Sequence, residues 1–331
     1  MRAGKTWLLA LLLFAATLCG MCGADAVQRQ CGTISLRYRD PLPQQTVETL
    51  LAGQQGWTFW KQEQTEFAAG TVHTRAEALL YAGMASDVYN AVCRYGAMPG
   101  IGDTAGCAIS AALSQTLFGS EDTVGLTLTA GGTVFTVRGV FGSQTPLALL
   151  PRTDAGFTAA ELPAEEQARQ NPDSWLRVRL QQSGMPEPDR ALFLFELSWL
   201  CRFASWLPLL LAGILLLRRA LRQLRRLPPL TADLLVFGVA LLAVLTLPWF
   251  FSVWPQWLIP SRWSDFSWWK QTADSLAEHL RAWLSTDVSE RDLWLRQRLL
   301  GQMGLAILQG ILWEALRCRS ACADGRRHPE P

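Results

Sequence analysis

Gly106–Ser120, GCAISAALSQTLFGS, followed by Phe135–Phe141, FTVRGVF, decides the fold of the part of the chain around it. Ala108-Ile109 reads as a strand end. Ser110 follows, with a hydroxyl able to cap the first turn of a helix. Gly119 can adopt the left-handed conformation that ends that helix, and Leu113, Leu117 and Phe118 give it one apolar face. Ser120-Glu-Asp122 is turn-forming. Gly125–Phe141 then alternates around Ala130-Gly-Gly132, the pattern of a β-hairpin. Arg75–Tyr89 has a helical pattern, and Pro146–Asn171 is rich in turn formers and reads as irregular. An α+β domain follows.

The surroundings of this stretch are apolar. Of 331 residues 50% are hydrophobic and 18% charged, with 15 Trp, which points to a membrane protein. The formal charge of +2 gives no footing for nucleic-acid binding. Trp7–Met21 carries no charge and follows Arg2 and Lys5; it reads as a span or a signal peptide, with Ala24-Asp-Ala26 as a cleavage-like site. Phe203–Leu217 is the second run, closed by Arg218, Arg219, Arg222, Arg225, Arg226 and Pro228-Pro229. The third, Leu234–Phe251, opens into Trp249, Trp254, Trp257, Trp263, Trp268 and Trp269, an interfacial belt. The fourth, Leu299–Leu316, contains Gln302, Gln309 and Glu314; if it spans, its Gln side chains face other helices, and otherwise it is an amphipathic surface helix.

Arg2 and Lys5 and the arginines at 218–226 and at 317–327 all fall on one side if four spans are counted, so both termini are placed in the cytoplasm. The expected order is a first span or signal at 1–22, an extracytoplasmic domain at 23–190, a stalk and second span at 191–217, and a cytoplasmic Arg-rich loop at 218–232. A third span at 233–254, a Trp-rich outer loop at 255–298, a fourth span at 299–317 and a tail at 318–331 complete it. Within the outer loop, Gln271–Leu300 carries Leu276, Leu280, Trp283 and Leu284 at helical spacing, an amphipathic surface helix.

Asp103–Phe141, DTAGCAISAALSQTLFGSEDTVGLTLTAGGTVFTVRGVF, resembles the characteristic stretch of the MacB-like periplasmic core domain. There, a strand ending in Ile-Ser leads to a helix, Leu-Phe-Gly, a Val-Gly and a strand closing on Val-x-Gly-Val. The layout is also similar to permeases of the MacB and FtsX type, which place this domain between the first and second of four spans. The resemblance implies an α+β extracytoplasmic domain inserted between the first and second transmembrane helices. It further implies a permease or mechanical transmitter of an ABC transporter-like system, a separate ATPase, and a homodimer or paired permease. The cargo would be a peptide or lipid-linked molecule, or the work would switch a partner outside the membrane. Arg218–Pro229, RRALRQLRRLPP, departs from the small-residue pattern such permeases carry after the second span. The alternative is a non-transporting anchored binding or scaffold protein.

The chain has no GxxxxGK[ST] loop and so no P-loop of its own. No cofactor, metal or catalytic set is expected. Arg218, Arg219, Arg222, Arg225 and Arg226 are the candidates for docking on an ATPase, and they equally suit a topology signal held by anionic membrane lipid. His73, His279 and His328 are scattered; a capping or surface role is expected for His73. Cys19-Gly-Met-Cys22 lacks the context of a redox pair. Cys318 and Cys322, with His328, are read as reduced and idle. Cys31, Cys93 and Cys107 fall in the oxidising compartment, and a Cys93–Cys107 bridge is expected.

Overall fold

The computed structural model describes residues 2–53, 56–207, 264–285 and 289–324, with isolated positions between 211 and 258. The Arg218–Arg226 cluster, the third apolar run apart from isolated positions, and the Trp249–Trp263 stretch apart from Leu258 lie outside the described residues. The chain forms two units. One comprises Met1–Gln28, Glu196–Thr272 and Asp292–Pro331; the other comprises Arg29–Phe195 and Ala273–Arg291.

The second unit is built on a ten-stranded sheet. Its strands are β1 (Thr33–Arg37), β2 (Thr58–Ala69), β3 (Val72–Ala82), β4 (Cys93–Gly96), β5 (Gly106–Ser110), β6 (Thr127–Ala130), β7 (Thr133–Phe141), β8 (Leu147–Pro151), β9 (Ala159–Pro163) and β10 (Arg190–Phe193). The order is β10-β1-β9-β2-β3-β8-β5-β7-β4, and β6 bridges β7 to β2. That bridge closes a ring through β2, β3, β8, β5, β7 and β6. Inside it lie Phe67, Ala78, Leu80, Ile109, Phe135, Val137 and Leu150, together with Leu113 and Leu117 of the short helix α4 (Ala111–Phe118). Period-two alternation sends the intervening residues Trp60, Leu79, Tyr81 and Leu149 to a second core, with Val88 of the helical turn α3 (Ala85–Val88).

The opening stretch folds as its sequence dictates. Ser110 Oγ accepts from the Leu113 N–H at 3.1 Å, and Gly119 ends α4 at φ 72°. Gly131 and Gly132 take φ 55° and 80°, the paired positive angles of a two-residue hairpin turn between β6 and β7.

Three expectations are overturned. Within Arg75–Tyr89 only Ala85–Val88 is helical; up to Ala82 the chain is β3, which pairs antiparallel with β2 from Phe59↔Ala82 to Ala69↔Val72 and parallel with β8 on its other edge. Two flanking strands override the helix preference of Ala-Glu-Ala-Leu-Leu. Pro146–Asn171 holds β8 and β9, whose apolar runs are buried on both faces. The Cys93–Cys107 bridge is likewise absent. β4 and β5 flank β7 on opposite sides, and Cys93 is level with Phe141 whereas Cys107 is level with Val137, so the two are separated both across β7 and along it, beyond disulfide reach. Burial pushes the Cys107 thiol up to about 12.

The remaining helices of this unit are α2 (Gln44–Ala52), α5 (Glu166–Gln170) and α6 (Pro172–Ser183). The expected surface helix Gln271–Leu300 is two helices, α7 (Phe266–Leu284) and α8 (Glu290–Asp324). Residues 273–291 belong with the sheet: Trp283 is buried, and the His279 ring lies 4.5 Å from that of Phe193 and 3.5 Å from an Asp173 oxygen. The bond to His279 holds the Asp173 carboxyl below its ordinary value.

In the first unit, α1 (Arg2–Gln30) contains Leu11–Gln28, long and apolar enough to cross a membrane; among the described residues it is the one helix that is both. Yet from Leu300 to Ile311 α8 turns large apolar side chains outward and its two glutamines inward. Leu300, Met303, Ile307 and Ile311 are exposed, whereas Gln302 and Gln309 are buried. Ser205 Oγ donates to Gln302 Oε1 at 3.1 Å and lies 3.2 Å from the Gly20 carbonyl oxygen. A Cβ at Gly23 would meet the end of the Gln302 side chain, so the glycine leaves the room that this amide occupies beside α1. Glu314 is exposed.

Candidate functional site

Thr33 and Ser35 alternate with Ile34 and Leu36 along β1 and therefore point to one face of the sheet. Glu161 of β9 stands opposite both Ser35 and Thr58 and shares that face. A lone carboxylate among Ala159, Ala160 and Leu162 has to be compensated, because burying it unpaired costs many kcal/mol. Four donors surround it. Glu161 Oε2 accepts from Thr33 Oγ1 at 2.6 Å; Oε1 accepts from Ser35 Oγ at 2.5 Å, Trp60 Nε1 at 3.0 Å and Arg291 Nη1 at 2.5 Å. Arg291 Nη2 also donates to Thr33 Oγ1 at 3.2 Å. Glu161 is 0% exposed and Arg291 2%, so the pair is insulated from salt and water.

Asp87 of α3 flanks this cluster, accepting from Thr58 Oγ1 at 2.9 Å. Burial is the main reason its carboxyl lies above the ordinary value; the Glu161 charge adds to the rise, while Thr58 and Arg291 oppose it.

Beyond Trp60 the polar stripe opens into a cavity of about 710 Å³. Arg37, Arg39 and Arg190 stand at one end, with Gln62, Glu63, Gln64 and Glu77 along the β2–β3 wall. The Arg37 guanidinium lies 4.2 Å from the centre of the Trp60 ring. Arg37 and Arg190 are direct cross-strand neighbours. Gln62 joins cavity and cluster: its Nε2 donates to Glu77 Oε2 at 3.0 Å, and its Oε1 accepts from the Glu290 N–H at 3.1 Å, the first residue of α8. Ser289, just before it, also lines the cavity.

Sequence reasoning named none of these residues as a site. Glu161 and Arg291 are 130 positions apart, and Arg291 falls in Gln271–Leu300, read as an amphipathic surface helix. The legible signal was a lone acid inside a short apolar run, Ala159-Ala-Glu-Leu162. His73 is exposed on β3, 3.7 Å from Glu66; His328 lies outside the described residues.

No family model and no curated protein matches the chain. Among solved structures it is similar to the extracellular domain of the noncanonic ABC-type transporter YknZ from Gram-positive bacteria, at 16% identity and TM-score 0.37, over 47% of this chain and 97% of that one. It is also similar to the periplasmic region of MacB from Actinobacillus actinomycetemcomitans, at 13% identity and TM-score 0.39, over 48% of this chain and 87% of that one.

Proposed function

We propose that this chain is the membrane subunit of an ABC transporter-like system, a permease or mechanical transmitter driven by a separate ATPase. It would act outside the membrane on a peptide, a lipid-linked cargo or a partner. The observation that carries this reading is the inside-out helical unit, with Gln302 and Gln309 buried and Leu300, Met303, Ile307 and Ile311 exposed, on the same chain as the sheet unit. Such a helix suits lipid, because water would have selected the opposite distribution. The Asp103–Phe141 stretch, folded as capped helix, Leu-Phe-Gly stop and hairpin, supports placing the sheet unit with the MacB-like core domains.

On this reading the chain crosses four times with both termini cytoplasmic, and ATP is hydrolysed on the partner. Arg218, Arg219, Arg222, Arg225 and Arg226 form the ATPase contact and also engage anionic lipid. Two such chains, or one with a second permease, make the working unit. The polar cavity favours a second reading, an anchored binding module without transport.

The test is a pull-down of the detergent-solubilised chain from its native membrane, wild type beside a variant with these five arginines changed to Gln. An ATPase that co-purifies with wild type and not with the variant supports the ABC reading. A wild type that recovers no ATPase overturns it in favour of the anchored module.

A further inference from the structure

Tyr81 of β3 is 2% exposed, and its hydroxyl has no hydrogen-bond partner among the described residues. A buried hydroxyl left unpaired works against the fold, so a partner is called for. Burial is the main reason this hydroxyl lies above its ordinary value, and the Asp103 and Cys107 charges add to the rise. Tyr81 is level with Pro151 of β8, and Cys107 lies on β5, the next strand over. The ring therefore reaches across the end of β8 towards Asp103. The carboxylate it approaches is already committed: Asp103 Oδ1 accepts the Ala105 and Gly106 N–H groups and Oδ2 accepts from Arg138 Nε.

Tyr81 and Asp103 line one hollow of about 430 Å³, with Arg152, Asp154, Thr104 and Thr133 around it. That volume suits a small molecule. Asp103 and Arg138 neutralise one another at 2.9 Å, whereas Arg152 and Asp154 form no ion pair among the described residues. The free charges of the hollow are one of each sign, so an occupant with net charge gains nothing from it. The hydroxyls of Tyr81, Thr104 and Thr133 can each give and take a hydrogen bond, Arg152 is a two-pronged donor and Asp154 a two-pronged acceptor. Hydroxyls on adjacent carbons match both prongs. Pro151 and Phe135 add apolar wall for the C–H face of a ring. We propose that this hollow binds a saccharide, an uncharged polyhydroxyl ring whose hydroxyls satisfy Tyr81 and engage Arg152 and Asp154.

The site concerns the sheet unit alone and goes beyond the transporter reading. Gly100, on the wall of the hollow, has open space where a side chain would stand, so a larger residue there obstructs the site without displacing a packed neighbour.

The experiment is saturation-transfer NMR on the full-length chain in a polyoxyethylene detergent, which carries no sugar. The probes are a panel of neutral mono- and disaccharides beside zwitterionic amino acids. Transfer to one or more of the saccharides is expected. Tyr81→Phe, which keeps the packing, should weaken that binding about three- to tenfold, the effect of one hydrogen bond. Gly100→Leu should abolish it. Folding of both variants is checked by the protection of the buried Cys107 thiol from labelling. Transfer to no saccharide overturns the proposal. So does transfer that Tyr81→Phe leaves unchanged, which would mean that the hydroxyl holds only a water. Transfer confined to the amino acids overturns it as well, in favour of a zwitterion site. Saccharide binding without ATPase recovery in the pull-down would retain this site and reject the transporter reading.

Discussion

At the scale of single residues the sheet unit rests on a buried charge whose neighbours are all committed. Arg291 supplies two of the contacts that hold Glu161 and Thr33. Replacing it with Ala strands a carboxylate in the core, and a loss of about 3–5 kcal/mol is expected. Replacing Arg291 by Met and Glu161 by Gln together should cost less than Arg291→Ala alone, since no bare charge is left. The reporter is the buried Cys107 thiol, whose labelling in the full-length protein is followed by mass spectrometry across a denaturant series. Equal losses in the two variants would contradict the role assigned to the pair.

Two carboxylates also predict opposite pH trends. Asp103 is held below its ordinary value, first by the hydrogen bond from Arg138 Nε at 2.9 Å and then by the Ala105 and Gly106 N–H groups. Its contribution is present above the unfolded value, about 3.9, and is lost as pH falls through the lower folded one. Asp87 is raised by burial, so its ionised form is a cost above the folded value that is relieved as pH falls towards the unfolded one. Asp103→Asn should thus flatten the acid limb of stability. Asp87→Asn should instead stabilise the chain near neutrality and do little below the ordinary carboxylate range. Both follow from the ratio of variant to wild-type Cys107 labelling between about pH 3 and 7.

At the scale of elements, Ser110 joins two pieces of structure. Its hydroxyl caps α4 and also accepts the Leu147 N–H of β8 at 3.0 Å. Ser110→Ala should cost about 1–3 kcal/mol, above an ordinary cap, because two buried N–H groups lose their acceptor. The capped helix and hairpin were legible in sequence because each is a local event: a hydroxyl before a helix, a glycine after it, two glycines in a turn. β3 was not, because its state is set by β2 and β8, and nothing in Ala76–Leu80 records their presence. The buried cluster was illegible for the same reason, since its members come from β1, β2, β9 and the start of α8. On α8, Gln302 and Gln309 are expected to face other helices only if Leu299–Leu316 spans; both are buried. Gly23→Leu should force α1 from Gln302 and lower the yield of folded full-length protein recovered from membranes, while Gly304→Leu, with nothing near its Cβ position, should not.

At the scale of the whole molecule, α8 begins with Glu290 and Arg291, which belong to the sheet unit, and continues from Asp292 in the helical unit. One helix thus has its first N–H held by Gln62 and its first guanidinium by Glu161. On the proposed function, work done by an ATPase on the helical unit would reach the sheet unit through the chain crossings between them, of which Arg291–Asp292 is one. The direct measurement is hydrogen exchange at Glu290–Arg291 in the complex recovered by pull-down, with and without ATP plus a trapping phosphate analogue. A nucleotide-dependent change there, absent when the five arginines of 218–226 are Gln, is the predicted result. Identical exchange in both nucleotide conditions, in a complex that demonstrably hydrolyses ATP, would contradict it.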